Sequence, residues 1–311
     1  MDLTSVQRRT LDELMRKDPL PVFETGLADD LRADLERRLA SLAQRVPDGE
    51  QLWVTKSRLT KLHAQCEGLF MADHLGEGVF EYSHRLAVGS VVHKAVEIGV
   101  FARDLPHDQL VARSIEKLQE GDDRFADYAA TLDEADRALL VAAAVEQVIL
   151  FQATFPPLER AWTPAVEPKL QVSLLGGRVV LSARPDLMLG GVDGEEPMRA
   201  RRIVLELKTG QDRPEHDEDL RFYALAATLR LGVPPYRVAT VLLEDATWRA
   251  QDVTPDVLES AVRRVGDGYT RAGELIGGAE PRLSPGPWCS WCPRAQTCPE
   301  AVARKLSSSE V

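Results

Sequence analysis

Residues 169–189, KLQVSLLGGRVVLSARPDLML, restrict the possible folds more than any other stretch. Two runs alternate in polarity around Gly176-Gly177, the pattern of antiparallel strands joined by a tight turn. RIVLELK, residues 202–208, predicts a third strand of aliphatic and β-branched residues. HDEDLRFYALAATLRLG, residues 216–232, has the helix period and stops at Gly232. YRVATVLLE, residues 236–244, predicts a fourth strand. TPDVLESAVRRVGDGYTRAGELI, residues 254–276, predicts a long helix capped by Thr254, with Pro255 in its first position. The expected fold class is α/β, a mixed central sheet flanked by helices.

Upstream the pattern is helical. The first fifty residues carry leucine and alanine at three- and four-residue spacing, as in LADDLRADLERRLASLAQRV. VTKSRLTKLHAQCEGLF, residues 54–70, predicts a strand end or turn followed by a short helix that carries Cys66, with Ser57 as its N-cap. GSVVHKAVEIGVF, residues 89–101, predicts a helix that sets His93 and Glu97 on one face. The domain reading is a helical extension over 1–52 and a core over 53–300. A helical insertion occupies 105–165, and 301–311 is a frayed tail.

Of the 311 residues, 44% are hydrophobic and 28% charged, the balance of a globular protein with room for a large core. The start, MDLTSVQRRTLDELMRK, has no apolar signal region. ALLVAAAVEQVILF, residues 138–151, is shorter than a bilayer span and is interrupted by Glu146 and Gln147, so it reads as a buried helix. The expectation is a cytoplasmic protein without a membrane partner. The net charge of −11 argues against a coat of phosphate-binding lysines, though a local basic groove is compatible with it.

Asp186 ends the second hairpin strand, and Glu206 and Lys208 share one face of the next strand. If those strands pair, two carboxylates and an ammonium converge. Paired carboxylates bind a hard cation such as Mg²⁺, and a lysine beside them can position water or stabilise developing charge. The same trio also describes an ordinary cross-strand ion pair. Three of the four cysteines, Cys289, Cys292 and Cys298, crowd into WCSWCPRAQTCPE, residues 288–300, while Cys66 lies more than two hundred residues upstream. In a reducing compartment four thiols are metal ligands before they are disulfides. An iron–sulfur cluster and a Cys₄ zinc site both remain open.

The order PD, a gap, then ExK resembles the PD-(D/E)XK nuclease superfamily, with its restriction-endonuclease-like core. More narrowly the chain is similar to the RecB-like branch. That branch places a histidine in a G-x-x-x-H setting, here Gly89 to His93, and a Gln-x-x-x-Tyr motif after ExK. Tyr223 fits the latter, but Asp219 stands where glutamine is usual. One cysteine ahead of the core and three after it, spaced C-x₂-C-x₅-C, resembles the iron–sulfur nucleases of the CRISPR-adaptation and AddB types. The resemblance covers residues 53–300.

It implies that His93, Asp186, Glu206 and the backbone carbonyl of Leu207 hold Mg²⁺ or Mn²⁺. It implies that Asp186, Glu206, Lys208 and Tyr223 serve catalysis, Lys208 by orienting the attacking water. Cys66, Cys289, Cys292 and Cys298 would hold a [4Fe–4S] cluster, with structural Zn²⁺ as the alternative. The implied activity is hydrolysis of DNA by an exonuclease acting on single-stranded or unwound ends, in repair, recombination or defence, with a helicase or complex as possible partner. The other reading is a non-catalytic DNA-binding or scaffolding module. Glu97 and Glu167 are candidate neighbours of the site. Lys56, Arg58 and Lys61, or Arg199, Arg201 and Arg202, are candidate phosphate contacts. Trp288 and Trp291 would shield the cluster or stack bases.

Overall fold

The computed structural model describes residues 3–78, 80–102, 104–191 and 196–308. Residues 1 and 2 of the expected extension, and 309–311 of the expected tail, lie outside them. The helices in chain order are α1 (Ser5–Arg9), α2 (Leu27–Ala43), α3 (Lys56–His63), α4 (Glu67–His74), α5 (His84–Phe101) and α6 (His107–Gly121). There follow α7 (Asp123–Thr131), α8 (Glu134–Thr154), α9 (Glu215–Leu231), α10 (Pro255–Ile276) and α11 (Pro299–Ser308). The strands are β1 (Leu52–Thr55), β2 (Ala165–Val166), β3 (Leu170–Leu174), β4 (Val179–Ala183), β5 (Leu187–Leu189), β6 (Ile203–Lys208), β7 (Arg237–Leu242) and β8 (Thr247–Asp252). The fold is α/β with mixed sheets flanked by helices.

The chain forms two compact units. One comprises Met1–Thr25, Phe80–Lys169 and Arg184–Thr254, the other Gly26–Val79, Leu170–Ala183 and Pro255–Val311. The single sheet expected from sequence is two sheets, a five-stranded one in the first unit and a three-stranded one in the second.

The five-stranded sheet has the order β2-β5-β6-β7-β8. β6 and β7 are parallel, which requires a crossover, and α9 supplies it. β6 is buried along nearly its whole length, as the apolar run IVLELK demands of a central strand. α9 buries almost every residue from Leu220 to Leu229 and ends on Gly232, whose φ of 79° is easy only for glycine. α5 is longer than the sequence reading, starting at His84 with Ser83 as its cap. α8 is also longer than expected, at 21 residues, and is apolar enough by length and composition alone to cross a membrane. Leu140, Ala144, Val148 and Phe151 are buried on one stripe, where α8 packs against α5 and α6, while Leu139 and Ile149 are exposed. That is the pattern of an amphipathic core helix rather than a wholly buried one.

In the second unit β3 and β4 form the expected hairpin, turned by Gly176 and Gly177 at φ of 67° and 88°. β1 adds in parallel to the other edge of β4. α2 buries Leu31, Leu35 and Leu39 at four-residue intervals and packs along α10. Each such leucine contributes about 1.5–3 kcal/mol. Tyr269 of α10 is fully buried; its hydroxyl donates to the Trp53 carbonyl at 2.8 Å and accepts from the Thr55 N–H at 3.2 Å, tying α10 to β1. The cap of α3 is Thr55, whose hydroxyl accepts from the Arg58 N–H, not Ser57, and α3 ends at His63, so Cys66 stands instead as the N-cap of α4.

Candidate active site

The second hairpin strand does not run through to Asp186. It breaks after Ala183, and β5 begins at Leu187. Pro185 has no N–H to give a ladder, so the break falls at Arg184-Pro185-Asp186. β5 pairs antiparallel with β6, Leu187 opposite Leu205, so one step further Asp186 comes opposite Glu206. The backbone of Asp186 is held by the Glu167 N–H, which donates to its carbonyl at 2.9 Å. Glu167 adopts φ of 44° to do so, and its carboxylate pairs with Arg184 at 2.5 Å.

Around this point the structure gathers the expected side chains. His93 Nδ1 lies 2.8 Å from Asp186 Oδ1. The Leu207 N–H donates to Asp186 Oδ2 at 2.6 Å. Lys208 Nζ donates to Glu206 Oε1 at 2.7 Å, the two side chains sharing a face of β6. The carboxylates are deeply placed, with side-chain exposures of 12% for Asp186 and 5% for Glu206. Burial, then the charge of Glu206, pushes the Asp186 carboxyl above its ordinary range, against the pull of His93 and the Leu207 N–H. Burial pushes the His93 imidazole down, but Asp186 and Glu206 outweigh it and its pKa lies above the usual value.

Tyr223 is buried on α9, and its hydroxyl donates to the Arg184 carbonyl at 3.4 Å. It thereby reaches the segment that carries Asp186. Asp219 lies one turn earlier on α9, and its field reaches His216, whose pKa burial and then Lys208 push down. Glu97 does not serve His93; it pairs with Lys94. Arg58 and Lys61 are both drawn to Asp73, and Arg199 to Glu196.

The four cysteines are free thiols that line one cavity of about 240 Å³, together with Gly68, Leu283, Trp288 and others. Burial, then the neighbouring sulfurs of Cys66, Cys289 and Cys298, pushes the Cys292 thiol up. The Gly286 N–H points at Cys289 Sγ at 3.4 Å. Trp288 lines the cavity and donates from its indole to the Ser284 carbonyl, whereas Trp291 is exposed.

Beside Cys66 stands a group the sequence reading missed. Glu67 is buried, and its carboxylate takes the Arg271 guanidinium at 2.9 and 2.8 Å. It also takes the N–H and the guanidinium of Arg282, both at 2.7 Å. Burial opposes ionisation, but these donors hold its pKa down, from 4.5 to about 2. A lone acid in EGLFM gives no sign in sequence of two arginines more than two hundred residues away.

Among the described residues no three His, Cys, Asp or Glu side chains are already drawn together as an ion cage. The donor chemistry nevertheless fits both implied groups. Two facing carboxylates, one with its pKa raised by the other, and an imidazole suit a hard divalent cation. Four thiols on one cavity suit an iron–sulfur cluster or zinc.

No curated protein matches the chain in sequence. A solved chain from Eubacterium rectale, described as "Putative exonuclease", is similar with a TM-score of 0.45 and 16% identity, over 74% of this chain and 84% of that one. A likeness at that score carries no weight for function. The model of the PD-(D/E)XK nuclease superfamily matches residues 54–299, well over half of the chain and spanning His93, Asp186, Glu206 and Lys208. On that match, this chain belongs to the PD-(D/E)XK nuclease superfamily.

Proposed function

We propose that the chain is a metal-dependent deoxyribonuclease of the RecB-like branch, an exonuclease working on single-stranded or unwound ends. The observation that carries this reading is the convergence of His93, Asp186, Glu206 and Lys208 at one end of β6. Asp186, Glu206, the His93 imidazole and the Leu207 carbonyl would hold Mg²⁺ or Mn²⁺, which supplies Lewis acidity for phosphodiester hydrolysis. Lys208, placed by its hydrogen bond to Glu206, orients the attacking water and offsets negative charge as it develops on the phosphate. The Leu207 N–H and His93 hold the carboxylate of Asp186 at the end of β6. Tyr223 steadies the Arg184-Pro185-Asp186 segment through the Arg184 carbonyl.

Cys66, Cys289, Cys292 and Cys298 would carry a [4Fe–4S] cluster that joins the two distant cysteine segments. The same thiols would take Zn²⁺ as the alternative. Reduced thiols suit a cytoplasmic protein. Action on ends suits repair, recombination or defence, beside a partner such as a helicase that unwinds DNA.

The test is digestion of end-labelled single-stranded DNA by anaerobically purified protein with Mg²⁺ or Mn²⁺, with chelator, and beside Asp186→Ala. Cleavage that needs metal and disappears in the variant supports the reading. Absence of cleavage on single strands, duplexes and forks would favour the DNA-binding or scaffolding module, to which Asp219 at the glutamine position also points.

A further inference from the structure

We infer that Arg85 holds a phosphate of the substrate strand beside the one being cut. The inference rests on the nuclease reading above and adds a residue to it. α5 presents Arg85, Gly89 and His93 at four-residue intervals, so they form one stripe of the helix. Each meets a different point at the end of β6. The His93 ring reaches Asp186, which is bonded to the N–H of Leu207. Gly89 rests on Thr209: a Cβ there would stand 3.2 Å from the Thr209 hydroxyl. Arg85 lays its guanidinium over Gly210: a Cβ there would stand 2.2 Å from Nη2. The stripe therefore follows the chain from Leu207 past Lys208 to Gly210. Alanine at Gly210 would push the guanidinium away.

The charge of Arg85 is not spent on an acid. Among the described residues it makes no ion pair and no hydrogen bond, in a chain whose net charge is −11. By contrast Arg58, Arg184 and Arg199 all have carboxylate partners. An exposed guanidinium left without a carboxylate, two residues beyond Lys208, has the right chemistry for phosphate oxygens, which it can grip through two parallel N–H bonds. Eight residues of helix separate Arg85 from His93, about 12 Å along the axis. That is too far to share the phosphate at Asp186 and Glu206. The ligand of Arg85 is a flanking phosphate, and its effect is to set the strand in register over the carboxylates.

The experiment uses the full chain and single-stranded DNA in which one flanking phosphate at a time is replaced by an uncharged methylphosphonate. Arg85→Ala should lower kcat/KM on ordinary DNA by about tenfold or more, the usual range for a lost charged hydrogen bond, with Arg85→Lys recovering part. In the wild-type protein one methylphosphonate position should cost a similar factor. At that position Arg85→Ala should lose nothing further, a coincidence that a merely structural role would not produce. Gly210→Ala, by displacing the guanidinium, should mimic Arg85→Ala. Wild-type rates in Arg85→Ala, or an undiminished methylphosphonate penalty in that variant, would overturn the subsite alone. No cleavage by the wild-type protein would overturn the nuclease reading, and the subsite with it.

Discussion

The imidazole of His93 and the carboxylate of Asp186 face each other at 2.8 Å, in a pocket where Glu206 has already placed a second buried carboxylate. His93 and the Leu207 N–H offset only part of the cost of burying these carboxylates. Asp186 ionises reluctantly because it is buried and because Glu206 repels it. A site built this way stores electrostatic cost that a bound cation relieves.

From that follows an opposition between stability and activity. Asp186→Asn keeps an oxygen for the Leu207 N–H and removes the repelled charge. It should raise the melting temperature of the metal-free protein by a few degrees, about 1 kcal/mol for a chain of this size, while abolishing cleavage. Calorimetry in chelator, beside a nuclease assay, checks both halves; a lower melting temperature would contradict the electrostatic account.

Lys208 is the ammonium that compensates buried Glu206. Lys208→Ala should cut the cleavage rate by about two to three orders of magnitude, the usual loss for a group that stabilises transition-state charge. It should also destabilise the metal-free protein, because breaking one side of a buried pair is costly. Added Mg²⁺ or Mn²⁺ should restore most of that stability. Melting curves with and without metal separate the two effects.

The cysteine cavity makes a compositional prediction. Anaerobically purified protein should carry iron and acid-labile sulfide in equal amounts, about four of each per chain, with visible charge-transfer absorbance. Cys298→Ala should lose the absorbance and melt earlier. One zinc per chain and no sulfide would select the Cys₄ alternative.

Glu67 gathers Arg271 and Arg282 beside Cys66, and Glu67→Gln should cost about 3 kcal/mol, as expected for a buried pair with one partner neutralised. Because its folded pKa lies below the value of 4.5 it starts from, its contribution is complete above that pH and is lost as pH falls toward about 2. Acid melts of the wild type should therefore show a stability loss over that window that is absent in Glu67→Gln.

Much of the fold was legible because local chemistry dictates it. Gly176-Gly177 permits only a turn, IVLELK only a buried strand, and PD with ExK places the carboxylates. What stayed hidden was set by distant partners. Of β1 only the end showed in sequence, and its partner is the distant β4. β8, TWRAQD, is a half-exposed edge strand whose polarity reads as loop. The break at Pro185 turned one expected strand into two and split the expected sheet. Glu97 pairs with Lys94, while His93 turns to Asp186 on a distant segment. Arg85 looked like any surface arginine until Gly210 was placed beneath it.

Each compact unit is assembled from three separated stretches of chain. During synthesis the residues around Asp186 have all left the ribosome once Tyr223 and Asp252 have followed, whereas Cys66 must wait for partners more than two hundred residues behind it. The segments of the carboxylate pocket are thus all synthesised before the last segment of the thiol cavity. Because the segments of the two units alternate along the chain, no single cut releases either unit as one uninterrupted fragment.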